Sequence, residues 1–262
     1  MTIRVPVVQH SGRRRRDRRR RALWAGGEAL VTVGVVLLLL VAHQLWWTNR
    51  EARRGAERQV EALEREWAAG GGGGDRGSSP TAVPAPSGRQ GAVARSRRRP
   101  AAAAGAPSRP RRSQAYAVLT VPRLGLRVPV AEGVGRRDVL DKGYAGHYPG
   151  TQQPGQAGNF ALAGHRNTHG EPFRHIDRLR RGDVLEVRTR GAVYTYTVDR
   201  TLPRTSARDG GVLRPVPRST VRPAYGYPSP GYYITLTTCT PEYTSRYRLV
   251  VWGTLASMRP RG

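Results

Sequence analysis

Residues Ala22–Trp47 read ALWAGGEALVTVGVVLLLLVAHQLWW, and they directly follow RRRRDRRRR at Arg13–Arg21. No other stretch restricts the chain as strongly. The uninterrupted apolar core, Ala29–Ala42, has 14 residues, a length that also suits a signal-peptide core or a buried helix. The flanks decide between these. Trp24 to Trp46 spans 22 helical steps, about 33 Å at 1.5 Å per residue, against a hydrocarbon layer of about 30 Å. Trp24, Trp46 and Trp47 fall where interfacial aromatic belts form. Glu28 at one end and His43 and Gln44 at the other can reach the headgroups. No small-residue cleavage pattern follows the core, so the sequence predicts an uncleaved single-pass anchor rather than a removable leader. The eight arginines between positions 13 and 21 then hold the N-terminus in the cytoplasm. Everything after Trp47 lies on the outer side of the cell membrane.

Export changes the meaning of Cys239, the single cysteine in 262 residues. Exported proteins generally use cysteines in pairs, as disulfides. A lone cysteine cannot pair within its chain, and a free thiol in an oxidising compartment is either a liability or a reagent. The net charge of +27 invites a nucleic-acid reading. However, 44 of the 45 basic residues are arginine, Lys142 being the exception, a bias that reads as coding composition. The outer region also lacks the interleaved aromatic and basic residues of single-strand platforms. The sequence therefore predicts no nucleic-acid partner.

Four segments follow from the pattern: a basic cytoplasmic tail (1–21), the anchor (22–47), an exposed helical stalk with a disordered linker (48–113), and an exported globular domain (114–262). Asn49–Ala69 mixes charges of both signs and predicts a short solvated helix. From Gly70 to Ser113, Gly, Ser, Pro, Ala and Arg dominate, with little to bury, so this segment reads as a tether.

Beyond Gln114 short apolar runs alternate with turn residues. AYAVLTVPRLGLRVPV holds two runs broken by Pro122 and Gly125, and NFALAG at Asn159–Gly164 reads as a strand. Phe173, Ile176 and Leu179 have helical spacing and predict a short helix over Phe173–Asp183. Val184–Arg200 alternates on both sides of Arg190-Gly191, a hairpin signal. Thr201–Pro230 reads as a long loop with a helical turn, and YYITLTTC and YRLVVWGTL close the chain as strands. About eight short strands with little helix predict a mostly β fold, a closed or nearly closed β-barrel.

A thiolate nucleophile needs a proton-handling partner and a donor for the oxyanion it creates. The exported domain offers His147, His165, His169 and His175. His165 follows the NFALAG strand directly, at a strand end where a rigid barrel builds sites. Arg248 lies nine residues after Cys239, so an antiparallel return through TPEYTSRY brings it back towards the cysteine. Its guanidinium can donate two hydrogen bonds to a carbonyl or oxyanion. Taken singly, each residue has a plainer reading: Cys239 a small buried hydrophobe, His165 a turn histidine, Arg248 a surface arginine.

TLTTCTP with a following YRLVVWG, together with GHYPGTQQPGQAGNFALAGHR at Gly146–Arg166, resembles the sortases. The form is similar to class E, the actinobacterial housekeeping group, and the resemblance covers about Tyr116 to Leu255 plus the anchor. It implies a sortase-type closed eight-stranded β-barrel over 114–262 and a cysteine transpeptidase acting on the cell wall. Such an enzyme cleaves a C-terminal LAxTG- or LPxTG-like sorting signal of a secreted protein between Thr and Gly. It then joins the product to an amine of the peptidoglycan precursor. Cys239 is implied as the nucleophile, His165 as general acid and then base, and Arg248 as the oxyanion or peptide donor. Thr238 is a further substrate-binding or oxyanion candidate, and Arg246 is the neighbouring alternative to Arg248. No cofactor and no metal are implied. Competing readings are a transpeptidase of the L,D type, whose cysteine follows a Ser-His-Gly run absent here, and a basic membrane-tethered adaptor without catalysis. A sortase-fold hydrolase that releases its acyl product to water also stays open.

Overall fold

The computed structural model describes residues 11–71 and 109–261. Two units are distinguished, residues 1–49 and 50–262.

In the first unit, helix α1 (Ser11–Gly71, continuing into the second unit) carries the apolar run. It is the one described helix long and apolar enough to cross a membrane. Leu30, Leu37, Leu38, Leu39 and Leu40 are all exposed, so the helix presents apolar side chains around its circumference, as a lipid-facing helix does. Thr32 Oγ1 donates to Glu28 O and Thr48 Oγ1 to Gln44 O, both at 2.8 Å. These hydroxyls are thereby satisfied within the helix.

In the second unit eight strands close a barrel: β1 (Ala115–Val121), β2 (Leu126–Glu132), β3 (Ala145–His147), β4 (Gly158–Ala163), β5 (Val184–Thr189), β6 (Ala192–Ser206), β7 (Tyr232–Thr240) and β8 (Tyr247–Pro260). Their order around the barrel is β1-β2-β3-β4-β7-β8-β6-β5, with β5 pairing back onto β1. The pairs β2–β3 and β4–β7 are parallel and the others antiparallel. Closure removes every free sheet edge. The predicted closed eight-stranded barrel is therefore the fold.

The strands alternate as half-buried strands should. Leu249 and Val251 face the interior cluster with Phe160, Leu162 and Ile234. Val250 and Trp252, on the other face of β8, are also buried, in a second cluster with Val212, Tyr227 and Tyr233. The 210–230 segment covers that outer face, which explains why VVW reads as an unbroken apolar run.

Three expectations need correction. The predicted loop from Thr201 starts later, because β6 stays paired with β8 as far as Ser206↔Tyr247. An irregularity between Leu202 and Thr205 accommodates Pro203, which has no N–H to give the ladder. The predicted helix over Phe173–Asp183 is a single 3₁₀ turn, Ile176–Arg178. Phe173, Ile176 and Leu179 are buried as a helical face would be, but a spacing of three also suits a 3₁₀ turn.

The third correction concerns the expected exposed stalk. Within α1, Ala56, Val60, Leu63 and Trp67 are buried. Val60, Leu63 and Trp67 pack with Val118 of β1, and Arg261 stacks over the Trp67 ring at 5.2 Å. Glu64 pairs with Arg127 and with Arg188, the latter at 2.6 Å. Both arginines hold its carboxyl below the usual range, although partial burial opposes them. The apolar residues recur at spacings of four, three and four, a helical stripe. The surrounding arginines and glutamates obscure that stripe in a count of composition. Of the linker expected from Gly70 to Ser113, Gly70 and Gly71 end α1, and residues 72–108 lie outside the described residues.

Candidate active site

Parallel pairing of β4 with β7 sets the frame. Phe160↔Ile234, Leu162↔Leu236 and Ala163↔Thr237 are partners, so the two strands run out together. His165 and Cys239 each stand two residues beyond that last pair. The ladder continues through Gly164 N–H, which donates to Thr237 O at 3.1 Å. Gly164 is required here, because a Cβ would lie 2.6 Å from the ring of buried Phe173. Phe173 N–H in turn donates to His165 O at 3.0 Å, so the backbone on both sides of the histidine is fixed.

Cys239 is partly buried and free. It stands directly opposite Arg248 in the antiparallel β7–β8 register. The sequence-predicted return is therefore present, with Cys239 and Arg248 cross-strand partners at one end of the barrel. Arg248 Nη1 donates to the carbonyls of Ser245 and Tyr247, at 2.9 and 3.0 Å. Arg246 stacks over the Tyr247 ring at 5.3 Å.

His165 meets an unforeseen partner. Its Nε2 lies 2.8 Å from Asp141 Oδ1, with side-chain exposures of 17% and 25%. Asp141 sits on the 3₁₀ turn Leu140–Lys142 between β2 and β3, 24 residues upstream. Burial pulls the imidazole below its ordinary value, opposed by the Asp141 hydrogen bond and charge, while His169 and Arg136 add to the lowering. His169 stacks against His165 with ring centroids 5.2 Å apart.

Arg166, next to His165, also went unassigned in the sequence. It is buried, and its Nη1 donates to Cys239 O and Thr240 Oγ1, at 3.4 and 3.2 Å. Its Nη2 donates to Asp177 at 3.1 Å. The guanidinium thus straps the backbone carrying the cysteine to the turn carrying the histidine. The one available signal was its place in GHR beside the candidate histidine, because one arginine among 44 carries no signal by type.

The side chain of Thr238 does not suit an oxyanion role. It is 3% exposed, and its hydroxyl donates to Gly164 O at 2.8 Å. A hydroxyl has one proton, so this one ties β7 to the histidine turn. Of the other histidines, His147 is buried between Glu132 Oε2 at 2.6 Å and the carbonyl of Gln152 at 3.0 Å, a structural network. Cysteine, histidine and arginine around a fixed turn form a set suited to acyl transfer.

The Sortase domain family matches residues 119–256. The chain is 49% identical over 153 residues to Sortase SrtE1 of Streptomyces coelicolor, covering 56% of this chain and 42% of that protein. It is 42% identical over 122 residues to Sortase SrtE2 of the same organism, covering 45% and 46%. The chain thus spans less than half the length of these curated relatives. Among solved structures, sortase E1 of Streptomyces coelicolor with a tripeptide in its active site aligns with a TM-score of 0.54 and 49% identity, covering 57% of this chain and 92% of that one. With the β-barrel, the strand-end cysteine and these matches taken together, the chain belongs to the sortase family, in class E.

Proposed function

We propose that the chain is a membrane-anchored cysteine transpeptidase. It cleaves a C-terminal LAxTG- or LPxTG-like sorting signal between Thr and Gly and attaches the released protein to an amine of the cell-wall precursor. The observation that carries this reading is the pairing of Cys239 with Arg248 in register, with His165 two residues past the last pair of the parallel β4–β7 ladder.

In this mechanism Cys239 Sγ attacks the threonine carbonyl carbon. Arg248 swings from its loop carbonyls to donate to the developing oxyanion. The bond to glycine breaks as His165 gives a proton to the leaving amine, and a thioester remains on Cys239. The precursor amine then attacks the thioester, loses its proton to His165 and expels the thiolate. The acyl bond is conserved throughout, so the residues named complete the reaction. Asp141 engages Nε2, which orients the ring and leaves Nδ1 to carry the proton. Arg166 holds the Cys239 carbonyl and so fixes the nucleophile's strand against the histidine turn. The relative solved with a tripeptide in its active site supports a peptide substrate for this one.

The anchor supports a location in the cell membrane, with residues 1–21 cytoplasmic and the catalytic domain outside. There the enzyme meets secreted clients and lipid-held precursor. The test is ligation by the full-length protein in detergent. LAxTG and LPxTG peptides are offered with glycine-based or diaminopimelate-like amines. Amine-dependent joined product, absent in Cys239→Ala, supports the proposal. Amine-independent release of the peptide points to the hydrolase, and no turnover of any sorting peptide refutes the reading.

A further inference from the structure

The turn after His165 has unusual features that acyl transfer leaves unexplained. His169, Gly170 and Glu171 all have positive φ, at 53°, 82° and 53°. For glycine this conformation is cheap, but for the other two it is sterically unfavourable. The turn is nevertheless clamped. Arg53 of α1 donates through Nε to Gly170 O and through Nη2 to Glu171 Oε2, both at 3.0 Å. Arg174 Nη1 holds the same carboxylate at 2.8 Å. The result is that His169 is folded back towards Asp141, where its Nδ1 lies 3.7 Å from Asp141 Oδ1. That is too far for a hydrogen bond. His169 Nδ1 is a buried atom without a hydrogen-bond partner, and leaving such an atom unpaired costs free energy.

Three ligand atoms of the right chemistry therefore converge. Asp141 Oδ1, His165 Nε2 and His169 Nδ1 all lie within 4.8 Å of one another. Zinc bound to nitrogen and oxygen at about 2.0–2.2 Å in a tetrahedron separates its ligand atoms by about 3.3 Å. Two observed separations, 2.8 and 3.7 Å, bracket that figure and the third is within 4.8 Å, so side-chain adjustment, with the two imidazoles drawing towards a common point, admits an ion. Two imidazoles and one carboxylate suit zinc better than calcium or magnesium, which take all-oxygen shells. Three protein ligands also leave a fourth position for water. Among the described residues this is the one such cluster.

We propose that Asp141, His165 and His169 form a zinc site whose occupation reversibly switches the enzyme off. The site takes Zn²⁺ from the medium outside the membrane. The ion displaces the Nε2 proton, which is released to solvent, and its bond to Nε2 takes the place of the Asp141–His165 hydrogen bond. The ring then carries its one proton on Nδ1 and has no second nitrogen to protonate. It can act neither as the acid for the leaving amine nor as the base for the incoming one. The inhibitory half of this proposal rests on the transpeptidase reading; the binding half does not.

The test separates them. Binding is measured on full-length Cys239→Ala protein in detergent, which removes the thiol as a ligand. Zn²⁺ is titrated in competition with a chromogenic chelator. One equivalent is expected to bind at micromolar concentration or tighter, and His169→Asn is expected to weaken binding at least tenfold. Asn is chosen because it tolerates positive φ, and circular dichroism checks that the fold persists. Asp141→Asn gives a second variant, with the same loss expected. No stoichiometric binding, or equal affinity in both variants, overturns the site. Inhibition is measured on the cysteine-containing protein: Zn²⁺ stops ligation, EDTA restores it, and His169→Asn needs at least tenfold more Zn²⁺ for the same inhibition. Tight binding without inhibition overturns the switch and leaves the site.

Discussion

Trp67→Ala tests whether the C-terminal stretch of α1 is part of the folded enzyme. Trp67 is 6% exposed, packed with Val60, Leu63 and Val118 and capped by Arg261. Truncating a fully enclosed Trp or Phe costs about 3–5 kcal/mol. Here one wall is the barrel and the other the helix itself, so the lower end, about 3 kcal/mol, applies. For a folded unit of this size each kcal/mol shifts the midpoint by about 2–4 °C, giving an expected fall of about 6–12 °C. Thermal unfolding of the full-length protein in detergent measures this. Amide exchange across residues 56–67 shows where the loss falls, with faster exchange expected there. Because Arg53 on the same helix holds the turn beside His165, ligation should slow as well. A midpoint within about 1 °C of the parent, with unchanged exchange, would refute the docked helix.

Other outcomes follow from the site and its supports. Arg248→Lys keeps the charge but loses the fork, and should lower kcat/KM by about 100-fold in the ligation assay. Asp141→Asn removes the charge that offsets burial of His165, and is expected to cut kcat about tenfold with little change in KM. Gly164→Ala drives a methyl into Phe173 and should lower kcat by disturbing the turn, read as activity loss exceeding the fall in melting temperature. Burial would raise the Asp209 carboxyl, but hydrogen bonds from Ser219, Thr205 and Thr220 outweigh it and hold the group below its ordinary value. A depressed folded value contributes stability above the unfolded one, near pH 4, and loses it as pH falls through the folded value. Asp209→Asn should therefore cost about 2 kcal/mol in urea unfolding at pH 7, a gap that closes towards pH 2.

The barrel was legible because strand alternation and turn residues are local signals. The NFALAG strand, the hairpin around Arg190-Gly191 and both closing strands stand where the pattern put them. Cys239 stood out as the single cysteine of a chain whose sequence predicts export, and its register with Arg248 follows from a short antiparallel return. Asp141 was hidden because its partner is 24 residues away, on a turn with no motif of its own. Arg166 was hidden by an abundance of arginines. The docked stretch of α1 read as solvated because charge dominates its composition. Its buried Val60, Leu63 and Trp67 make sense only once β1 supplies a surface.

The central claim is that Cys239 carries the acyl group. Intact-mass measurement after mixing the full-length protein with an LAxTG peptide, without amine, tests it most directly. The account predicts a mass gain equal to the peptide up to its threonine, mapped to Cys239 and discharged when a suitable amine is added. An adduct on another residue, or peptide cleavage with Cys239 never modified, would contradict it.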